Sequence, residues 1–399
     1  MTGPGRTVAI VGAAATPVGK LVNPQAPDDQ LEHTILARVC VNALADAGIA
    51  PADVDSATFT QPPPSCKQLG FATFMAALLG FRLKGSLSEV VQMGITGSLA
   101  FDHAMADVAL GRADVAVALG VAISSNANRA LMADVSTRTV GDVDFQAPFG
   151  VTPISWYALD AARYMYETGA TREQLAAVAV KSRQAAKNNP LAQYTGDLTI
   201  EDVLAAPQVV APLGLFDVPP VGDGAICLVL ASEEVARSSG KPYVTVKGRG
   251  FGHDGQHQIG DTVGDITAFT AAREGVDRAT AEAAITLSDI DLFELYAPCT
   301  ITEILVSEAL GLYARGDGAR AAAAGHTGIG GKTPINTSGG CLSRGHPPSL
   351  TGLYGLLEIR EQLLGHAGAR QVRGARVGLH AAELGNYNAA LIHILERQA

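Results

Sequence analysis

The run Gly330 to Gly352, GGKTPINTSGGCLSRGHPPSLTG, is the most specific stretch of this chain. A lone Gly-His-Pro would be a weak signal, but the whole run, Asn-x-Ser-Gly-Gly followed by Gly-His-Pro, is a strong one, and it carries a single histidine, His346. Its glycines do not form a dinucleotide-binding fingerprint. Gly328 to Gly331 follow an Ala-rich segment and precede Thr-Pro rather than opening a helix, and no ribose-binding acid is placed.

Outward from this run the chain alternates strand and helix signals. Thr7 to Gly12 (TVAIVG) reads as a strand, and Gln30 to Ala47, with Ile35, Leu36, Val39, Cys40, Ala43 and Leu44 at helical spacing, as an amphipathic helix. Short apolar runs at Asp114 to Gly120, Ala225 to Ala231, Tyr243 to Val246 and Ala389 to Leu395 predict buried strands. A long excursion from Ala122 to Asp223 carries helical stretches at Trp156 to Thr168 and Arg172 to Asn188; such insertions usually cover a site or an interface. The polar turn Arg237 to Pro242 separates two halves, which predicts domains at 1–240 and 241–399.

With 399 residues, 47% hydrophobic and 17% charged, the chain is long enough to bury a core without staples, and its 44 glycines fit an α/β protein with tight strand–helix turns. A net charge of −10 leaves no basic surplus for phosphate contacts, so general nucleic-acid binding is excluded. The five cysteines are scattered and never in CxxC spacing, which predicts neither disulfides nor a metal site. No apolar run reaches the ~20 residues of a membrane span, and the first residues lack a signal core, so a cytoplasmic location is expected.

Four segments together resemble the thiolase superfamily, and within it the sterol-carrier-protein-type branch. Gly330 to Gly352 is similar to its Asn-x-Ser-Gly-Gly…Gly-His-Pro block; Asp291 to Glu303 (DLFELYAPCTITE) is similar to its E-L-H-D-x-F-S stretch, with Tyr296 in the histidine position. Gln92 to Ala100 (QMGITGSLA) is similar to the nucleophile turn, with Gly94 where the family has its cysteine, and Gly378 to Ala389 (GLHAAELGNYNA) is a degenerate glycine-rich closing loop. The resemblance implies an α/β thiolase fold of two similar halves, each a mixed five-stranded sheet sandwiched by helices, with the insertion in the first half. It also implies an obligate homodimer and an acyl-CoA substrate with no further cofactor. The Asp114 to Gly120 strand, which would otherwise present an edge, is the expected dimer contact.

Glycine at position 94 removes acyl transfer but leaves the rest of the family's strategy, stabilisation of a thioester enolate. Thr96, Gly97 and Ser98 still read as a helix opening able to polarise a thioester carbonyl. Gly94, Thr96, Ser98 and Gly385 are therefore expected to line the substrate. Tyr296 suits proton transfer to or from an alkoxide or enolate, as carrier for the substrate hydroxyl or the departing enolate, and His346 either donates to the thioester oxygen or carries a proton. Tyr387 and His380 are each a second proton carrier or strand-end packing. Cys299 and Cys341 stand where the family has apolar side chains and are expected to be buried small hydrophobes; Glu294 and Glu303 read as surface or dimer carboxylates without an assigned role. The same departures resemble the aldolases that cleave steroid side-chain CoA esters beside a zinc-containing OB-fold partner of the DUF35 type. The first expectation is thus a retro-aldol carbon–carbon lyase; an acyltransferase with another nucleophile and a silent acyl-CoA-binding subunit are the alternatives.

Overall fold

The computed structural model describes residues 5–22, 31–125, 134–135, 137–138, 142–254, 264–385 and 387–398. The expected helix start at Gln30 and part of the 122–223 excursion lie outside the described residues. Short runs of small and β-branched residues form strands β1 (Val8–Ala15), β2 (Ser56–Thr60), β3 (Leu87–Val90), β4 (Val115–Ala122) and β7 (Gly224–Ser232) in the first half, with β5 (Gln208–Val210) and β6 (Leu213–Gly214) pairing only with each other. The second half contributes β8 (Val244–His253), β9 (Leu292–Leu295), β10 (Val377–Glu383) and β11 (Ala389–Arg397). Every strand expected from the sequence is present, β8 running past its expected end.

The strands form one mixed nine-stranded sheet in the order β3-β2-β4-β7-β1-β8-β11-β10-β9. The first five belong to the first half and the other four to the second; the two sets join through a short antiparallel contact, Ala9 opposite Thr245 and Ile10 opposite Val244. β4 lies between β2 and β7 and is buried along its whole length, so it presents no edge. The expected dimer contact through Asp114 to Gly120 is corrected on that ground: its backbone groups are already paired within the chain.

Helices cover the sheet: α1 (Glu32–Ala47), α2 (Phe71–Leu78), α3 (Thr96–Ala109), α4 (Pro153–Thr168), α5 (Arg172–Ala186), α6 (Ile200–Ala205), α7 (Glu233–Ser238), α8 (Thr270–Ala283), α9 (Thr300–Leu310), α10 (Asp317–Ala323), α11 (Gly340–Ser343) and α12 (Thr351–Leu364). No helix among the described residues is long and apolar enough to cross a membrane. Missing side chains set the closest approaches. A Cβ on Gly248, Gly250 or Gly252 of β8 would fall 2.3, 1.8 or 2.2 Å from a carbonyl oxygen of α8, so alternate glycines let the strand lie flat on the helix backbone. The same device joins α3 to α12: a Cβ on Gly97 would stand 3.1 Å from the Leu353 nitrogen, and one on Gly352 would stand 2.2 Å from Ser98 Oγ. The first turns of these two helices, one from each half, therefore meet, and the loops that feed them converge.

Candidate active site

Gly94 sits in a tight turn, Met93–Ile95, immediately before α3, and the turn is tied down by the Gln92 amide donating to Thr96 Oγ1 at 2.8 Å. Met93 and Gly94 are partly exposed, whereas Thr96 and Ser98 are buried. A Cβ built on Gly94 would lie 2.6 Å from the Glu383 carbonyl oxygen and 3.0 Å from both Cζ and Oη of Tyr296. The tyrosine therefore occupies the space that a side chain at position 94 needs. The two departures from the family pattern, no side chain at 94 and a large one at 296, are a single packing solution.

Tyr296 follows β9 directly, its amide donating to the Ala381 carbonyl at 2.7 Å, and it is only 5% exposed. Its hydroxyl is 3.4 Å from Nε2 of His346, with the rings edge to face at 5.5 Å. On the far side of the imidazole, Nδ1 is 2.9 Å from the Thr351 hydroxyl, which itself donates to the Pro347 carbonyl. One hydroxyl proton serves one acceptor, so Nδ1–H donates to Thr351 and Nε2 is left as an acceptor for the Tyr296 hydroxyl. In this network His346 does not carry the Nε2 proton that donation to a thioester oxygen, as expected from the sequence, would require. Burial, helped by the Arg344 charge, holds its pKa down to about 3, so the ring is neutral. Burial and then the Glu383 charge push the Tyr296 phenol well above its ordinary value, Arg344 opposing them, which keeps its proton in place.

The Asn-x-Ser-Gly-Gly signature builds the floor beneath Tyr296. Asn336 accepts from the Leu295 amide at 2.8 Å and donates to Glu303 at 2.8 Å, and Glu303 also takes the ammonium of Lys181. Ser338 donates to Glu294 through its amide and its hydroxyl, at 3.0 and 2.7 Å, and Thr337 donates to it at 3.2 Å. The expectation that Glu294 and Glu303 are surface or dimer carboxylates is corrected: each is buried to 2% exposure within these networks. Burial, then the neighbouring Glu358, raises Glu294 to about 7.

His380 and Tyr387 have internal partners. Nδ1 of His380 donates to the Glu294 carbonyl at 2.8 Å, so its Nε2 accepts from the Ser98 hydroxyl at 2.9 Å, and burial holds the ring down to about 3. Neither nitrogen faces Tyr296. The Tyr387 hydroxyl donates to the Tyr296 carbonyl at 2.7 Å, and its ring stacks on Phe269, so it braces the backbone of Tyr296. The Thr96 hydroxyl oxygen accepts from the Gln92 amide, and the Ser98 hydroxyl donates to His380. Cys299 and Cys341 are buried, as expected; burial pushes Cys299 well above the thiol range and Cys341 up to about 12, far from the thiolate a nucleophile needs.

One group that sequence reading passes over borders the site. Glu383, at the end of β10, is 1% exposed and accepts from the Tyr157 hydroxyl of α4 at 2.6 Å and from the Tyr387 amide at 3.3 Å, with the Gly385 amide contributing a further bond. Burial raises it to about 7. Its signal in the sequence is slight: one acid at the end of a run of small residues, GLHAAE, inside a segment noted for its glycines.

Comparison with known proteins agrees with this layout. The thiolase N-terminal domain family matches residues 8–201 and the thiolase C-terminal domain-like family residues 252–397. An acetyl-CoA acetyltransferase of Methanothermobacter thermautotrophicus is 34% identical over 98% of this chain and 100% of its own length. The 17-hydroxy-3-oxo-4-pregnene-20-carboxyl-CoA lyase of Mycobacterium tuberculosis is 30% identical over 92% of each chain. Among solved structures, an Ltp2-ChsH2(DUF35) aldolase superposes with a TM-score of 0.82 and 29% identity, covering 98% of this chain and 97% of that one. Matched in both halves and end to end, the chain belongs to the thiolase superfamily.

Proposed function

We propose that this protein is a carbon–carbon lyase that cleaves a β-hydroxyacyl-CoA by retro-aldol chemistry, through a thioester enolate and without an acyl-enzyme. The observation that carries this reading is the Tyr296 phenol standing within 3.0 Å of the first side-chain atom that residue 94 would have. A covalent thiolase cycle needs a thiolate there; this site has neither the sulfur nor the room. Cleavage of a β-hydroxy thioester needs only proton transfers and a place for the developing negative charge. Tyr296 retains its proton and holds it on an uncharged acceptor, Nε2 of His346, so it is disposed to protonate the enolate once the carbon–carbon bond breaks.

The likeness to a pregnene-carboxyl-CoA lyase and to an aldolase with a DUF35 chain supports a steroid side-chain CoA ester as substrate and a DUF35-type OB-fold protein as partner. The protein acts as a homodimer in the cytoplasm, uses no cofactor besides the coenzyme A of its substrate, and contacts its twin elsewhere than β4. The acetyltransferase relative favours a second reading, acyl transfer through another nucleophile. Intact mass spectrometry after incubation with acetyl- or acetoacetyl-CoA separates the two. The lyase remains unmodified, whereas an acyl adduct on Cys299 or Cys341 identifies a transferase.

A further inference from the structure

The lyase reading needs a group to take the proton of the substrate hydroxyl, and the residues already placed do not provide one. Tyr296 keeps its own proton, His346 and His380 are held neutral and weakly basic, and both nitrogens of His380 are spent. The buried carboxyl of Glu383 is unused. Its main-chain oxygen and the Tyr296 hydroxyl lie 2.6 and 3.0 Å from one and the same point beside Gly94, so its backbone borders the space at the mouth of the site and its carboxyl lies just behind, on the Tyr157 hydroxyl. Around the carboxyl stand Tyr157 from α4, Tyr296 after β9, Tyr387 and the Gly385 amide from the closing loop, and Cys299 and Cys341 at the starts of α9 and α11. Among the described residues none of the groups acting on it is basic. A carboxylate needed only for structure is ordinarily paired when this deeply buried. This one has hydrogen-bond donors but no counter-charge, the arrangement of a group that changes protonation state.

We propose that Glu383, held on the Tyr157 hydroxyl, is the proton store of the cleavage reaction. The inference rests on the lyase reading. The carbinol O–H bond breaks and its proton goes to the Glu383 carboxylate; the oxygen pair forms the carbonyl of the ketone or aldehyde product. The Cα–Cβ pair passes into the thioester enolate. The Tyr296 O–H proton then goes to Cα, and the proton on Glu383 returns to the phenolate, which restores both groups.

Difference infrared spectroscopy of the full chain across neutral pH decides whether the group stores a proton, with or without substrate. The expected result is a protonated-carboxyl band titrating near neutrality, separate from that of Glu294, that disappears in Glu383→Gln and shifts its midpoint in Tyr157→Phe. A spectrum in which Glu383→Gln removes no such band overturns the proposal whatever the enzyme catalyses. On a β-hydroxyacyl-CoA that the parent cleaves, Glu383→Gln is expected to lower turnover ~10²–10⁴-fold and to erase the neutral limb of the pH profile, while Glu383→Asp retains that limb. A Glu383→Gln protein with the parent's turnover and limb overturns the proposal and leaves the lyase reading standing. Absence of cleavage by the parent under every condition sinks the lyase reading, and the infrared titration still reports on Glu383. Circular dichroism of each variant separates chemistry from misfolding, and Glu383→Asp carries the test if Glu383→Gln does not fold.

Discussion

Gly94 and Tyr296 share one volume: a Cβ on the glycine would stand 3.0 Å from the tyrosine's Cζ and Oη. Gly94→Cys therefore does not restore a thiolase nucleophile. It forces the tyrosine ring, the Glu383 carbonyl or the turn to move, at ~1–3 kcal/mol as overpacked sites generally cost. The double variant Gly94→Cys with Tyr296→His frees the phenol's volume and should recover part of that loss. Urea unfolding of the four proteins of this cycle reads the coupling, expected above ~0.5 kcal/mol for residues in contact. Strictly additive effects would show that the two positions do not share the space.

Thr351 fixes the tautomer of His346 by accepting from Nδ1. Thr351→Val removes that acceptor and lets the ring proton move to Nε2, where it faces the Tyr296 hydroxyl donor to donor. Nitrogen-15 spectra of the parent should show a neutral Nδ1–H ring throughout pH 5–8, as burial dictates, and Thr351→Val should lose that signature along with turnover.

How much of this was legible in the sequence varies residue by residue. The strand and helix runs were readable because each is a local apolar pattern, and the motifs named Gly94, Tyr296 and His346, which the fold brings together at the crossing of α3 and α12. The central placing of β4 was not readable, because strand order depends on partners far apart in the chain: Ala57 pairs with Val117, and Val117 with Val229. Nor was the burial of Glu294, Glu303 and Glu383. An acid in a short strand, as Glu294 and Glu383 are, or in the first turn of a helix, as Glu303 is, reads as a surface residue, and only the assembled fold brings Ser338, Lys181 and Tyr157 to meet these three. His380 is a possible proton carrier on sequence alone; the fold engages both of its nitrogens, with Ser98 and the Glu294 carbonyl.

The buried titrating groups give pH signatures of opposite sign. Glu383 has a pKa of about 7 in the folded protein against 4.5 as its ordinary value, so between those limits the folded state holds the extra proton and stability falls as pH rises. Glu383→Gln should therefore gain on the parent by on the order of 3 kcal/mol from pH 4.5 to pH 7. His380 is held to about 3 against 6.5, so the unfolded chain takes up the proton first and stability is lost as pH falls below 6.5. Its replacement by Gln should flatten that acid limb. Denaturant midpoints across pH 4–8 for the two variants check both signs.

Cys299 and Cys341 are buried and held as thiols. Cys299→Ala and Cys341→Ala should leave turnover nearly unchanged, and iodoacetamide at neutral pH should label neither in the folded protein. Rapid labelling of either, with loss of activity, would reopen acyl transfer.

On the proposed lyase reading Tyr296 stands in for the thiolase nucleophile as the reacting group. This is tested most directly by quantifying the shorter acyl-CoA released from a β-hydroxyacyl-CoA with a bulky tertiary or ring carbinol, by parent and Tyr296→Phe, with the DUF35-type partner present. The expected result is equimolar shorter acyl-CoA and ketone from the parent, and a rate ~10²–10⁴-fold lower for Tyr296→Phe at unchanged thermal stability. A Tyr296→Phe protein that releases product at the parent's rate would contradict it.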